Sequence, residues 1–378
     1  MLHCLQSMYA ADSARVFTTA GLTDTFPCTM GVKQGCPLSP LLFGIYLDGL
    51  QKILEATEST DAPCLNGKPV PVMLYADDLA LLSHSREGLQ KSLDMLGTFS
   101  HDRGLTVSVE KTKVLVFAKR KTLISPPVVY AEQPLAQLER VLIVCTSEGV
   151  LGDTDVPTGV WAEELAAPYY LFLKKGYLID IVSIAGGKVP IDPLSVALPY
   201  DKISIIKHFL ADVDLQKKLN STISVAYIDP TPYAAIFFPG GHGIAWDGPF
   251  SKEIMRIVES AFAAGKVIGA VCHGPAALVN AKITDPSHPL HGQSILTGKQ
   301  VTGLSNSEED ATGRATLVPF LLEDKLREVG GNYVRGPRDL GPYAIRAGQI
   351  ITGQNPASSL RAAELVVEAL SFGVRLTP

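Results

Sequence analysis

The stretch IGAVCHGPAAL, Ile268 to Leu278, runs an apolar segment straight into a cysteine and a histidine, then into a Gly-Pro turn. A chain that leaves a buried strand through so tight a turn lifts the turn side chain out at the carboxyl edge of the sheet. Open α/β sheets place their sites along that edge, and the serine elbow of α/β hydrolases has the same geometry. Cys272 is therefore a candidate nucleophile. The free N–H groups opening a following helix would favour its thiolate. His273 can act as base or orient a third group, and its backbone N–H is a candidate oxyanion donor. The competing reading is a small apolar cysteine closing a core strand, which these residues alone do not eliminate.

Outward from this elbow, RVLIVCTS (140–147), YLIDIVSI (177–184), AAIFFPG (234–240) and KVIGAVC (266–272) are short apolar runs bounded by turn residues. Continuous rather than alternating hydrophobicity suits strands covered on both faces. PFSKEIMRIVESAFAAGK carries Phe250, Ile254, Ile257, Val258, Ala261 and Phe262 on one helical stripe and stops at Gly265. SSLRAAELVVEALS forms another amphipathic helix. Strands alternating with helices predict a parallel sheet with helices on both faces.

A second strand, in FFPGGHG (237–243), ends on paired glycines that let a backbone N–H approach a substrate oxygen, so Gly240 and Gly241 join the oxyanion candidates. Residues 140–378 resemble the DJ-1/PfpI superfamily, specifically its Hsp31-like branch containing glutathione-independent glyoxalases. The resemblance is carried in order by TGVWAEELAAPYYLF, AGGKVPIDPLS, FFPGGHGIAWD, AVCHGPAAL, VTGLSNSEEDATG and TGQNPASS. It implies a flavodoxin-like (class I glutamine amidotransferase-like) α/β fold, Cys272 as nucleophile and His273 as its partner. Glu164 would approach the thiol from the first helix, and the triad acid would be Glu309, with Glu308 as the alternative register. Read from GGHGIAWD itself, His242 and Trp246 are pocket-lining candidates, the plain alternative being that a glycine-rich turn carries them for packing alone. The branch's Glu-Ala-His-Pro pattern is here Glu-Leu-Ala-Ala-Pro, so one substrate-side histidine is missing.

The reaction so implied converts methylglyoxal to D-lactate through a cysteine hemithioacetal, a D-lactate dehydratase (lyase) chemistry that needs no metal or organic cofactor. Protein deglycase or holdase activity and redox sensing through Cys272 are the alternatives on the same fold. The partner would be a small 2-oxoaldehyde, and the resemblance leaves room for a homodimer.

A different chemistry is written into LYADDLALLS (74–83), where Asp77 and Asp78 sit at the tip of a predicted hairpin. Adjacent carboxylates between apolar walls repel unless a cation neutralises them; the plain alternative is an Asp-Asp turn. With GVKQGCPLSPLLFGIYLDGL before it and GLTVSVEKTKVLVF after, this region resembles the palm of a non-LTR retrotransposon reverse transcriptase. Such polymerases also use a third metal-binding aspartate on an earlier strand, together with fingers, and this sequence starts downstream of both. The resemblance thus implies a partial α+β palm over 1–121, without polymerase activity and with vestigial carboxylates. A proline-rich linker over 122–138 and the α/β domain over 139–378 complete the expected organisation.

Composition agrees with two soluble cores: 378 residues, 46% hydrophobic and 19% charged. A net charge of −5 gives no footprint for nucleic acid. The six cysteines form no metal or disulfide framework, and no apolar run is long enough to span a membrane. The expected location is cytoplasmic. Cys145 reads as inert core and Asp192 as a turn or cap residue.

Overall fold

The computed structural model describes residues 13–15, 17–18, 21–27, 39–57, 61–75, 78–116, 127–137 and 139–372. The chain divides into two compact units, one of residues 1–114 with 124–136 and one of residues 115–123 with 137–378.

In the first unit the helical periodicity predicted over 38–57 and 86–104 gives helices Ser39–Glu55 and Arg86–Asp102. Leu47, Leu50 and Leu54 are buried at helical spacing, while Leu41, Ile45 and Ile53 stay exposed. Ser85 caps the second helix by accepting the Gly88 N–H at 3.2 Å. Strands Val72–Tyr75 and Asp78–Leu81 pair antiparallel, with Tyr75 opposite Asp78. Of the strand pair expected from LTVSVEKTKVLVF, the described residues 105–116 form only Lys113–Val114, because a turn at 109–111 interrupts it. Within the proline-rich segment, Val129–Tyr130 pairs with Gln133–Pro134.

The second unit is built on a seven-stranded sheet: β1 (Arg140–Cys145), β2 (Leu178–Ser183), β3 (Ile223–Ser224), β4 (Tyr233–Phe238), β5 (Val267–Val271), β6 (Ala344–Ala347) and β7 (Ile350–Gly353). Its order is β3-β2-β1-β4-β5-β7-β6. All neighbours are parallel except the β6–β7 pair, which is antiparallel. The predicted parallel sheet is thus present, with one antiparallel strand added at its edge. Gly348, at φ +63°, turns the chain directly back, leaving no room for a crossover helix.

Side chains of β1 alternate between two cores. Val141, Ile143 and Cys145 pack with Leu165 and Phe172 of α1 (Ala162–Lys174) and with Ala362 and Val366 of α4 (Ser359–Phe372). Leu142 and Val144 face the opposite core, with Ile254, Ile257 and Val258 of α2 (Lys252–Ala263). Burying side chains of this size contributes about 1.5–3 kcal/mol each. This two-sided burial is why the strands read as unbroken apolar runs. Phe250, expected on the α2 stripe, lies before the helix and is exposed.

Candidate active site

The elbow forms where β5 ends. Cys272 has φ +58°, a left-handed conformation that costs a non-glycine residue of order 1–3 kcal/mol and persists only when its surroundings impose it. Two backbone hydrogen bonds impose it here: the Cys272 N–H donates to Gly353 O at 2.9 Å, and the Leu304 N–H donates to Cys272 O at 3.0 Å. Gly274 completes the turn, where any Cβ would lie 2.2 Å from Phe238 O.

The thiol Sγ is 3.6 Å from His273 Nδ1, and His273 Nε2 is 2.6 Å from Glu309 Oε2. All three residues are buried. Glu309 lies on α3 (Asn306–Thr312), which Ser305 opens as a capping box with Glu308. Glu308 faces elsewhere: its Oε2 accepts the Ser305 N–H and Oγ–H, and its Oε1 accepts from Leu340 N and Asn355 Nδ2. Of the two registers, the fold brings Glu309 to the histidine and gives Glu308 to the helix cap.

Glu164 projects from the first turn of α1, and its Oε2 accepts the Gly240 N–H at 2.8 Å. Its Oε1 is buried and, among the described residues, takes up no nitrogen or oxygen donor, while the Cys272 thiol lies close enough to act on the carboxyl. Burial pushes the Glu164 carboxyl well above its ordinary range, against the pull of the thiol and of the Gly240 amide. The Cys272 thiol is pushed up as well, first by burial and then by the Glu164 carboxyl, with the Gly241 amide acting the other way. This corrects the expectation of a thiol favoured as thiolate by a helix end. The segment after the turn, Gly274–Leu278, is a single 3-10 run, too short to outweigh a buried carboxyl neighbour.

The oxyanion candidates divide. The Gly240 N–H is already engaged by Glu164, so that amide is removed from the set. The Gly241 amide is directed at the sulfur. Among the described residues, no backbone carbonyl takes up the Gly241 or His273 N–H. Gly241 has φ +97°, and a Cβ there would meet Gly159 O at 2.1 Å.

His242 is brought into the constellation, though both ring nitrogens are occupied by protein. Nε2 is 2.8 Å from Glu309 Oε1, and Arg314 Nη1 is 3.0 Å from Nδ1. Its ring lies 4.3 Å from that of His273. The half-buried Trp246 indole packs over Gly152, and its Nε1 would lie 3.0 Å from a Cβ on that glycine. Asp192 caps the Pro193–Val196 turn through the Leu194 N–H, as expected of a cap residue, and also accepts from Thr158 Oγ1 and Arg314 Nη1. Arg314 was not singled out in the sequence. It lies in ATGRAT without periodicity, and its partners are 72 and 122 residues away.

Among the described residues, His242, His273 and Glu309 are the one group whose ligand atoms lie close enough together to hold a metal ion. A guanidinium only donates, so Nδ1 of His242 carries a lone pair and Nε2 carries the proton. That N–H, pointed at Glu309, occupies the lone pair a cation would need. Asp77 lies outside the described residues; Asp78 is exposed at the start of its strand. Cys145 is buried in the core, where desolvation drives its thiol pKa far up, consistent with inertness. No helix of the described residues is long and apolar enough to cross a membrane.

A mostly parallel, doubly covered sheet with a strained cysteine elbow beside a histidine–carboxylate pair defines a flavodoxin-like α/β domain of the thiol-bearing kind. The DJ-1/PfpI family model matches residues 156–369, and the chain belongs to that family. The reverse transcriptase (RNA-dependent DNA polymerase) model matches residues 2–143. Glyoxalase 3 of Candida albicans is 29% identical over 245 residues, covering 61% of this chain and 98% of the relative. The glutathione-independent glyoxalase HSP31 of Saccharomyces cerevisiae is 29% identical over 249 residues, again covering 61% and 98%. Among solved structures, the Rapid Encystment Protein 24 kDa of Francisella tularensis is 41% identical with a TM-score of 0.57, covering 62% of this chain and 99% of that one.

Proposed function

We propose that the α/β unit is a glutathione-independent glyoxalase that converts methylglyoxal to D-lactate, a carbon–oxygen lyase of the D-lactate dehydratase type acting without a cofactor. The observation that carries this reading is the hydrogen-bonded chain Cys272–His273–Glu309 with the Glu164 carboxyl buried against the same thiol.

His273 Nε2 faces the Glu309 carboxylate, which leaves Nδ1 with a lone pair toward the sulfur. As Sγ adds to the aldehyde carbon, the thiol proton passes to Nδ1. The oxyanion is received by the Gly241 and His273 N–H groups. The aldehyde-derived carbon loses its proton to a neighbouring base, and the adjacent carbon gains one through an enediol. The product is the thioester of lactate on Cys272. One water hydrolyses it, regenerating the thiol, so no external oxidant or reductant enters. The buried Glu164 carboxyl, with one oxygen unengaged, supports a role in carrying the proton between the two carbons.

The test is lactate release from methylglyoxal by the purified chain without glutathione, beside Cys272→Ala. Enantiomer-resolved D-lactate from wild type and none from the variant is the expected result. No lactate from folded wild-type protein overturns the reading, and release of the free amine from a methylglyoxal-glycated amine supplied in a parallel assay would then assign the same thiol to deglycation.

A further inference from the structure

Behind the Cys272–His273–Glu309 chain lies a second buried layer that the mechanism above does not use. Arg314 Nη1 donates one hydrogen to Asp192 Oδ2 at 3.1 Å and the other to His242 Nδ1 at 3.0 Å. Asp192 is fully buried, and its Oδ2 is held by Thr158 Oγ1 as well. A guanidinium in a protein has no acceptor, so the Arg314 contact requires Nδ1 to be unprotonated. The ring proton of His242 must then sit on Nε2, facing Glu309 Oε1 at 2.8 Å. Glu309 thereby accepts from His242 and Thr312 on Oε1 and from His273 on Oε2.

We infer that Arg314 is a positioning residue: by donating to Nδ1 of His242 it fixes the Nε2–H tautomer and so clamps the Glu309 carboxylate onto His273. Were His242 to carry its proton on Nδ1, that N–H would oppose the Arg314 N–H. Its Nε2 lone pair would oppose a carboxylate oxygen. Both contacts would turn repulsive. Glu309 would then be free to rotate, and His273 would lose the partner that turns Nδ1 toward the thiol. The fully buried Asp192 matters because it anchors the guanidinium and balances its charge.

The groups facing His242 are Glu309, His273 and Arg314, with Asp192 behind Arg314; Cys272 and Glu164 complete the titratable set around His273. Burial and the His273, Arg314 side of this set push His242 down to about 4, against the pull of Glu309. Removing the donor to Nδ1 opens that nitrogen to a proton. An imidazolium at 242, with its ring 4.3 Å from that of His273, disfavours a second positive charge on the ring that receives the thiol proton.

The inference rests on the Cys272-centred reading only for its chemical consequence, so the test avoids the glyoxalase substrate. The full chain is labelled with 15N-histidine, and two-bond proton–nitrogen correlations report the tautomer of His242, assigned through His242→Gln. Iodoacetamide alkylation of Cys272, followed by mass across pH, reports the thiol. The variant is Asp192→Asn with Arg314→Met, which removes both halves of the ion pair and leaves no unpaired buried charge.

The expected result is an Nε2–H tautomer in wild type. In the double variant, His242 titrates about one pH unit higher or more, and the acid limb of alkylation moves up with it. Arg314→Lys, which keeps a donor and a charge, restores the wild-type profile in part. An Nδ1–H tautomer in wild type overturns the inference, and so does an unchanged His242 titration in the variant. A titration that moves while alkylation stays in place also overturns it, by reducing Arg314 to a structural role. Should the double variant not fold, the wild-type tautomer alone decides. Absence of lactate production leaves these readouts intact, so failure of the glyoxalase reading is separable from failure of this one.

Discussion

Glu308 and Glu309, neighbours in the first turn of α3, send their carboxylates into different networks: Glu309 Oε2 lies 2.6 Å from His273 Nε2, while Glu308 Oε1 lies 2.8 Å from both Leu340 N and Asn355 Nδ2. The two side chains are therefore expected to separate stability from chemistry. In Glu308→Gln the new NH2 group faces donors, and leaving buried donors unsatisfied costs about 1–3 kcal/mol each. A lower melting temperature with turnover per folded molecule retained is expected. Glu309→Gln should keep the fold and lose about 10²–10⁴ in kcat. Thermal melts and kinetics on both variants check the pair, and the opposite pattern would reassign the acid.

Glu164→Gln should move thiol reactivity and turnover in opposite directions. Glutamine can still accept the Gly240 N–H, but it has neither the carboxyl that, after burial, raises the Cys272 pKa nor a transferable proton. Alkylation of Cys272 near neutral pH should speed up while lactate formation drops by about 10²–10⁴. Full turnover in this variant would remove Glu164 from proton transfer.

His242 makes the fold acid-sensitive. Its folded pKa of about 4 lies below its ordinary 6.5, so the unfolded chain binds the proton first as pH falls through that window. Stability contributed by neutral His242 is fully present above that window and is lost downward, by about 2 kcal/mol at pH 5. Glu309, held low by the two histidines although burial opposes them, loses its contribution at still lower pH. Asp247, pushed up to about 6 chiefly by burial, acts in the opposite sense as it gains its proton. The informative quantity is thus a difference. Between pH 7 and 5, denaturant unfolding should show a larger stability loss in wild type than in His242→Gln.

Gly241→Ala should destroy the site. The position needs φ +97°, and a methyl group would collide with Gly159 O and Trp161 N. Strain and overpacking each cost about 1–3 kcal/mol. Loss of several degrees in melting temperature is expected together with loss of Cys272 alkylation selectivity. A variant that melts and alkylates like wild type would mean the loop backbone can move aside.

The strands were legible because burial on both faces leaves an unbroken apolar record. RVLIVCTS and KVIGAVC contain the whole of β1 and of β5. The elbow was legible because strand, thiol and turn are contiguous. Arg314 was not, since its role depends on partners brought together only by the completed sheet. The direction of the Cys272 shift was hidden for the same reason: Glu164, which outweighs the short 3-10 run, comes from a different helix. The β6–β7 hairpin went unread because AIRAGQIITG is too short and mixed to display a period.

The neighbour of β5 at the elbow has a consequence for synthesis on the ribosome. Val271 pairs with Gly353, and the Cys272 N–H is held by the carbonyl of that same residue, yet β7 is made long after the thiol has emerged. Until then, Val267–Val271 presents a bare apolar margin open to strand addition by another chain. A chain halted before β7 should therefore associate through this edge more readily than the finished domain.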